Sequence, residues 1–158
     1  MENKLVTESY RTFKGEFQTL MAKQRLYTLL RSKALTVGQA LDVADAVLGQ
    51  NKVPVAIALG MISVESEFNP NTASDHGARG LTQLMPIVWK IYANKFNSRH
   101  INDVSLNVKV GLTYLGDLHT EYKDWRMALR AYNAGPENAR NKRYDPYANT
   151  VLRKAKEF

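Results

Sequence analysis

The chain has 158 residues, 44% of them hydrophobic and 23% charged, which is enough for one domain with a buried core. It contains no cysteine, and this excludes a disulfide framework, a thiolate metal site and a cysteine nucleophile while leaving the compartment open. A formal charge of +7 predicts attraction to a polyanion, with nucleic acid, anionic lipid and bacterial cell wall as the candidate classes.

From Leu5 to about Leu30, the residues Phe13, Phe17, Leu20, Met21, Leu26, Leu29 and Leu30 recur at three- and four-residue steps, the period of an amphipathic helix, with Gly15 as a point of interruption. The opening residues hold no uninterrupted apolar run and no small-residue cleavage site, so no secretory signal is expected, and work outside the cytoplasm would need another delivery route. Thr36 and Gln39 have capping-box spacing and predict a second helix through Val37, Ala40, Leu41, Ala44, Val47 and Leu48, ended by Gly49 and Asn51. Pro54 suits the first turn of a third helix, apolar nearly all round from Val55 to Phe68 and stopped by Asn69-Pro70. A helix apolar on every face is a central one. The longest apolar stretch, Val53 to Val64, is too short to cross a bilayer, so no membrane span is expected.

The polar stretch between Asn69 and Arg79 reads as an ordered loop, and Gly80 to Met85 as a short turn of helix. Pro86 starts another helix through Ile87, Trp89, Ile91 and Tyr92. Asp103 or Ser105 caps the next, with Val108, Leu112, Leu115 and Leu118 as its stripe. Trp125 to Tyr132 forms a further short helix closed by Gly135-Pro136, and the tail after Pro146 is helical with Tyr147, Val151 and Leu152 on one side. With no alternating strand pattern and no repeat, the expectation is a mainly α fold over a single domain, 1–158.

Glu65 breaks the apolar pattern of the third helix. Burial disfavours its charged form and the C-terminal end of a helix adds partial negative charge, so both raise its pKa and suit it to donate a proton to a leaving oxygen. Pattern alone leaves a second reading equally open, in which Glu65 turns to solvent or pairs with an arginine. Glu67 falls on a nearly opposite side of the helix and reads as a surface charge. Asp75 is the nearby carboxylate available as a second catalytic group, although an Asp beside His and Gly is ordinary turn chemistry. His76, His100 and His119 lack metal-ligand spacing, so neither a metal nor a cofactor is expected. There is no phosphate-binding glycine loop and no serine-hydrolase elbow, which removes the nucleotide and serine-hydrolase readings, and no zinc-finger or RNP pattern, which leaves nucleic-acid binding as a remote third reading that would require tight, salt-sensitive binding to DNA or RNA.

Three stretches together resemble the soluble lytic transglycosylase family. They are Val64-Glu65-Ser66-Glu67-Phe68-Asn69-Pro70, then Ser74 with Gly77-Ala78-Arg79-Gly80-Leu81-Thr82-Gln83-Leu84-Met85-Pro86, and Ala131-Tyr132-Asn133-Ala134-Gly135-Pro136. The resemblance runs from about Val53 to the C-terminus. It implies a lysozyme-like helical domain with a substrate groove over 53–158, on which the N-terminal helices of 1–50 would pack. It also implies cleavage of the β-1,4 bond between N-acetylmuramic acid and N-acetylglucosamine in peptidoglycan, with a 1,6-anhydro product. The family's catalytic acid/base falls on Glu65. Its groove residues fall on Ser66, Ser74, Gln83, Met85, Tyr132 and Asn133, with Tyr132 placed to orient Glu65 and the amides of Gln83 and Asn133 to bind acetamido groups. Tyr147 matches a tyrosine of the last helix, although Tyr147-Ala148 stands where relatives carry Tyr-Val.

The resemblance makes peptidoglycan glycan strands the partner, with a monomer, no nucleic acid and no membrane span. Two rival readings share the fold: a muramidase that uses water in place of the C6 hydroxyl, and a non-catalytic wall-binding or assembly subunit. Action is expected on the cell wall, in the periplasm or at a host wall, and the missing export signal points either to a chain trimmed of its leader or, as the favoured setting, to a bacteriophage lysis or entry enzyme delivered from the cytoplasm or virion.

Overall fold

Among the described residues seven helices account for most of the fold, because the apolar residues keep a helical period and polar residues cap the ends. The computed structural model describes residues 2–96 and 100–158, with the side chains of residues 2, 3, 5, 6 and 93 excepted; the Leu5 side chain therefore lies outside the described residues. In chain order the helices are α1 (Glu2–Arg31), α2 (Val37–Leu48), α3 (Val55–Ser66), α4 (Pro86–Tyr92), α5 (Val104–Tyr122), α6 (Trp125–Ala134) and α7 (Asp145–Lys154), with short 3-10 turns between and after them. Among the described residues no strand forms, and none of the helices is long and apolar enough to cross a membrane.

The caps are those the side chains dictate. Thr36 and Gln39 form the reciprocal box at the start of α2, Gln39 N–H to Thr36 Oγ1 at 3.2 Å and Thr36 N–H to Gln39 Oε1 at 3.0 Å. Asp103 accepts from Leu106 N–H at 2.8 Å to open α5, and Asp124 accepts from Met127 N–H at 2.7 Å to open α6.

The central helix is α3, with Ile57, Ala58, Leu59, Met61 and Ile62 all buried. It packs on α7, and α5 packs between α2 and α6. Gly60 is where α3 and α7 come closest, since a Cβ there would stand 2.7 Å from the Val151 carbonyl oxygen and 2.8 Å from the Ala155 nitrogen.

Three expected boundaries shift. First, α3 stops at Ser66, two residues before Phe68, because Glu67 and Phe68 both take left-handed conformations at φ 50° and 63°. Burial of the Phe68 ring, 2% exposed and edge-on to Phe158 at 6.0 Å, offsets the strain of a left-handed aromatic residue. Second, residues 80–85 are not helical. Arg79 and Leu84 exchange backbone hydrogen bonds of 3.1 and 3.0 Å, and Gly80 and Gln83 both have positive φ, which no helical turn accommodates.

Third, Gly15 does not interrupt α1, and the first stripe of α1 does not pack on the core. Leu26 and Leu30 are buried against α2, but Tyr10, Phe13, Phe17, Leu20 and Met21 are 40–65% exposed. At 3.6 residues per turn the exposed stripe is rotated by roughly 150° from the buried pair, close to the opposite face, so one straight helix cannot bury both. Leu30→Ala is therefore expected to cost about 3 kcal/mol in a urea melt, and Phe17→Ala less than about 0.5 kcal/mol. Equal losses would mean that the exposed stripe is packed in solution.

Candidate active site

Glu65 lies in the last turn of α3 and is half-buried. Burial raises its pKa from 4.5 to about 7, against the opposing effect of a hydrogen bond from Tyr147. The Tyr147 hydroxyl donates directly to Glu65 Oε1. Among the described residues no arginine pairs with this carboxylate and no second carboxylate contributes to its shift. Of the two readings open from the sequence, burial and the raised pKa favour the proton-donating one.

Tyr147 is the tyrosine with the less regular motif, yet it is the one that touches Glu65. Tyr132, expected to orient Glu65, sends its hydroxyl to the Thr82 carbonyl at 2.7 Å instead. Both tyrosines stand close enough to the carboxylate for its charge to oppose their ionisation, which, with burial as the larger cause, raises their pKa values well above the usual tyrosine range. Each stays a neutral hydrogen-bond donor at any physiological pH.

The groove residues expected from sequence divide by what their polar atoms already bind. Ser66 is buried, and its hydroxyl contacts the carbonyls of Ile62 at 3.1 Å and Leu81 at 2.9 Å. It ties the loop to α3, with its hydroxyl turned to backbone carbonyls. Ser74 Oγ accepts from Ala78 N–H at 3.0 Å and closes the turn that contains Asp75. Gln83 donates both amide protons, to the carbonyls of Thr72 at 3.0 Å and Gly80 at 2.9 Å. Only its carbonyl oxygen is left for a ligand, so Gln83 can accept from an acetamido N–H but not donate to an acetamido oxygen. Met85 and Asn133 are exposed. Asp75 and Glu67 are also exposed, and neither is brought into contact with Glu65. Among the described residues, no cluster of three or more His, Asp or Glu side chains is placed to hold a metal ion.

Two supports were not foreseen. Asn107 on α5, 1% exposed, accepts from Thr82 N–H at 3.0 Å and Thr82 Oγ at 2.9 Å, and donates to the carbonyls of Arg79 at 3.0 Å and Ile101 at 3.2 Å. It occupies the space over Gly80, where a Cβ would stand 2.4 Å from its amide nitrogen. Asn107 thus holds the loop that receives Tyr132. The signal in sequence was a lone amide beside the apolar stripe of α5.

The second support is Arg130 on α6, 6% exposed, whose Nε donates to Asp145 Oδ1 at 2.9 Å and whose Nη1 donates to the Ala139 carbonyl at 3.2 Å. Asp145 opens α7 two residues before Tyr147, and Arg130 precedes Tyr132 by two, so one ion pair anchors both tyrosines. Asp145→Ala is expected to lower stability by about 2 kcal/mol in a denaturant titration, less than for a fully buried pair because Asp145 is partly exposed.

The fold and site define a helical domain with a half-buried carboxyl at the end of α3 that is hydrogen-bonded by a tyrosine of α7. The model of the transglycosylase SLT domain matches residues 42–151, and the chain belongs to this family. A curated relative from Enterobacteria phage PRD1, a transglycosylase, is 32% identical over 108 residues, covering 68% of this chain and 38% of that protein. The soluble lytic murein transglycosylase of Escherichia coli K12 is 29% identical over 96 residues, covering 56% of this chain and 15% of that protein. This chain thus spans well under half the length of the relatives it matches. Among solved structures, the 70 kDa soluble lytic transglycosylase of Escherichia coli aligns with a TM-score of 0.62 at 23% identity over 72% of this chain and 23% of that one. A lytic transglycosylase from Pseudomonas aeruginosa aligns with a TM-score of 0.58 at 24% identity over 65% of this chain and 21% of that one. These likenesses show the lysozyme-like helical fold.

Proposed function

We propose that the chain is a peptidoglycan lytic transglycosylase that cuts the β-1,4 bond between N-acetylmuramic acid and N-acetylglucosamine and leaves 1,6-anhydromuramic ends. The observation that carries this reading is Glu65, an isolated carboxyl with a pKa of about 7, hydrogen-bonded by Tyr147 and without a second carboxylate to share the work.

A retaining glycosidase with two carboxyl groups keeps them about 5–5.5 Å apart. At that spacing a second carboxylate would perturb Glu65 strongly, and none does. This arrangement supports a reaction in which the substrate supplies its own nucleophile. Glu65 protonates the glycosidic oxygen as the C1–O4 bond breaks, and the carbonyl oxygen of the muramic 2-acetamido group bonds to C1. The carboxylate so formed then takes the proton of the C6 hydroxyl. O6 attacks C1, the acetamido oxygen leaves, and the product carries a 1,6-anhydro ring. Glu65 ends protonated, ready for another turn, and no water is consumed. Tyr147 steadies the carboxylate between the two steps, and the Gln83 carbonyl receives an acetamido N–H.

In this reading residues 53–158 carry the reaction and 1–50 buttress it, in a monomer that acts on the cell wall. Likeness to the phage PRD1 protein supports a phage origin. The test is mass spectrometry of muropeptides released from purified peptidoglycan. Products lighter by one water than reducing muropeptides, absent with Glu65→Gln, are expected. Reducing ends would make the protein a muramidase, and no release would make it a wall-binding subunit.

A further inference from the structure

Tyr132 is the first of three rings in contact. It packs on Tyr114 of α5 with 5.3 Å between centroids, and Tyr114 packs on Tyr92 of α4 at 5.6 Å. All three are half-buried, so a strip of aromatic surface leads away from Glu65 across three helices. At its end the Tyr92 hydroxyl donates to Asp117 Oδ2 at 3.0 Å. Lys52 Nζ donates to Asp117 Oδ1 at 2.7 Å, and Lys95 Nζ stands 3.8 Å from Oδ2 and 4.5 Å from the centre of the Tyr92 ring.

Two ammonium groups therefore share one carboxylate. Their side chains are 52% and 57% exposed, each ammonium has three donors, and one positive charge is left over. Lys52 and Lys109 also line an adjoining cavity of about 450 Å³ together with Asn51, whose amide adds donors, whereas Gln50 gives both amide protons to the Val47 and Val53 carbonyls and the Thr113 hydroxyl donates to the Lys109 carbonyl. The one acidic residue of that cavity, Asp45, is already paired with Lys23 at 2.6 Å. Lys52 stands just ahead of α3 and Glu65 at its end, so the 12 residues between them set the two roughly 18 Å apart.

We propose that Lys52 and Lys95 form a carboxylate-binding site at the far end of this strip, reading the acidic peptide stems that branch from the glycan. The proposal rests on the activity given under Proposed function, since only a branched, acidic glycan reaches both Glu65 and the lysines. Surplus positive charge provides the attraction, and the aromatic strip provides an apolar surface for the sugars between. Asp117 holds the two ammonium groups in place and tempers their charge, so that binding stays weak enough for release.

The test is isothermal titration of the Glu65→Gln chain, which binds without cleaving, with three glycan fragments of equal length: bare, peptide-bearing and phosphorylated. The peptide-bearing fragment is expected to bind about fivefold more tightly than the bare one, the factor an exposed ion pair supplies. Lys52→Gln with Lys95→Gln removes that preference and leaves bare-glycan affinity unchanged. Glutamine keeps the β and γ methylenes with which Lys52 packs near Gly116. Asp117→Asn increases the preference by freeing a second charge.

A preference that survives the double lysine change, an equal loss on bare glycan, or a preference for the phosphorylated fragment alone would each overturn the carboxylate site. Equal binding of all three fragments overturns it while leaving the enzymatic reading intact. Binding of none overturns both.

Discussion

Glu65→Gln is expected to abolish glycan cleavage, a loss of at least about a thousandfold in kcat, because one carboxyl serves as both acid and base. The same change is expected to stabilise the fold at pH 8. The free energy follows from the pKa, raised from 4.5 to about 7 by burial. A group whose folded pKa lies above its unfolded one holds its proton more tightly when folded. Its stabilising contribution is therefore complete below pH 4.5 and is lost as pH rises through 7. By pH 8 the wild-type chain has lost about 3 kcal/mol that the neutral glutamine never loses. Urea denaturation of both chains at pH 4 and pH 8 measures this. Near-equal midpoints at pH 4 and a more stable variant at pH 8 are expected, and equal midpoints at both would mean that Glu65 is solvated.

The second large effect concerns the hydroxyl that touches Glu65. Catalysis begins with protonated Glu65, so kcat/KM should fall above about pH 7 as the acid is lost. Tyr147→Phe removes a hydrogen bond that favours the charged carboxylate, so the alkaline limb should move to higher pH. Turnover should fall about tenfold as well, because the carboxylate formed in the first step loses its partner. Tyr132→Phe is the control. Its hydroxyl bonds the Thr82 carbonyl, so it should raise KM through a loosened loop and leave the limb where it was. A limb that moved with Tyr132→Phe and not with Tyr147→Phe would reverse the roles of the two tyrosines.

Of the fold, what the sequence by itself determined is what depends on neighbours a few residues apart. The capping box of Thr36 and Gln39, the Asp103 cap, the start at Pro86 and the all-round apolar run of α3 follow from local hydrogen bonds and helical period. Glu65 was legible for the same reason, as one ionisable side chain in an apolar segment, and the motifs around it marked the family. Tertiary structure alone decided the rest. Which tyrosine reaches Glu65 depends on the close approach of α3 and α7 at Gly60 and on the Arg130 anchor at the start of α7. Ser66 and Gln83 spend their donors on backbone carbonyls brought near by the loop, so their residue types could not disclose their roles. The exposed stripe of α1 has the same period as a core stripe, and only the direction in which α2 lies tells them apart. Periodicity reports that a face is apolar, while contacts between residues distant in sequence decide what covers it and which polar atoms remain free for chemistry.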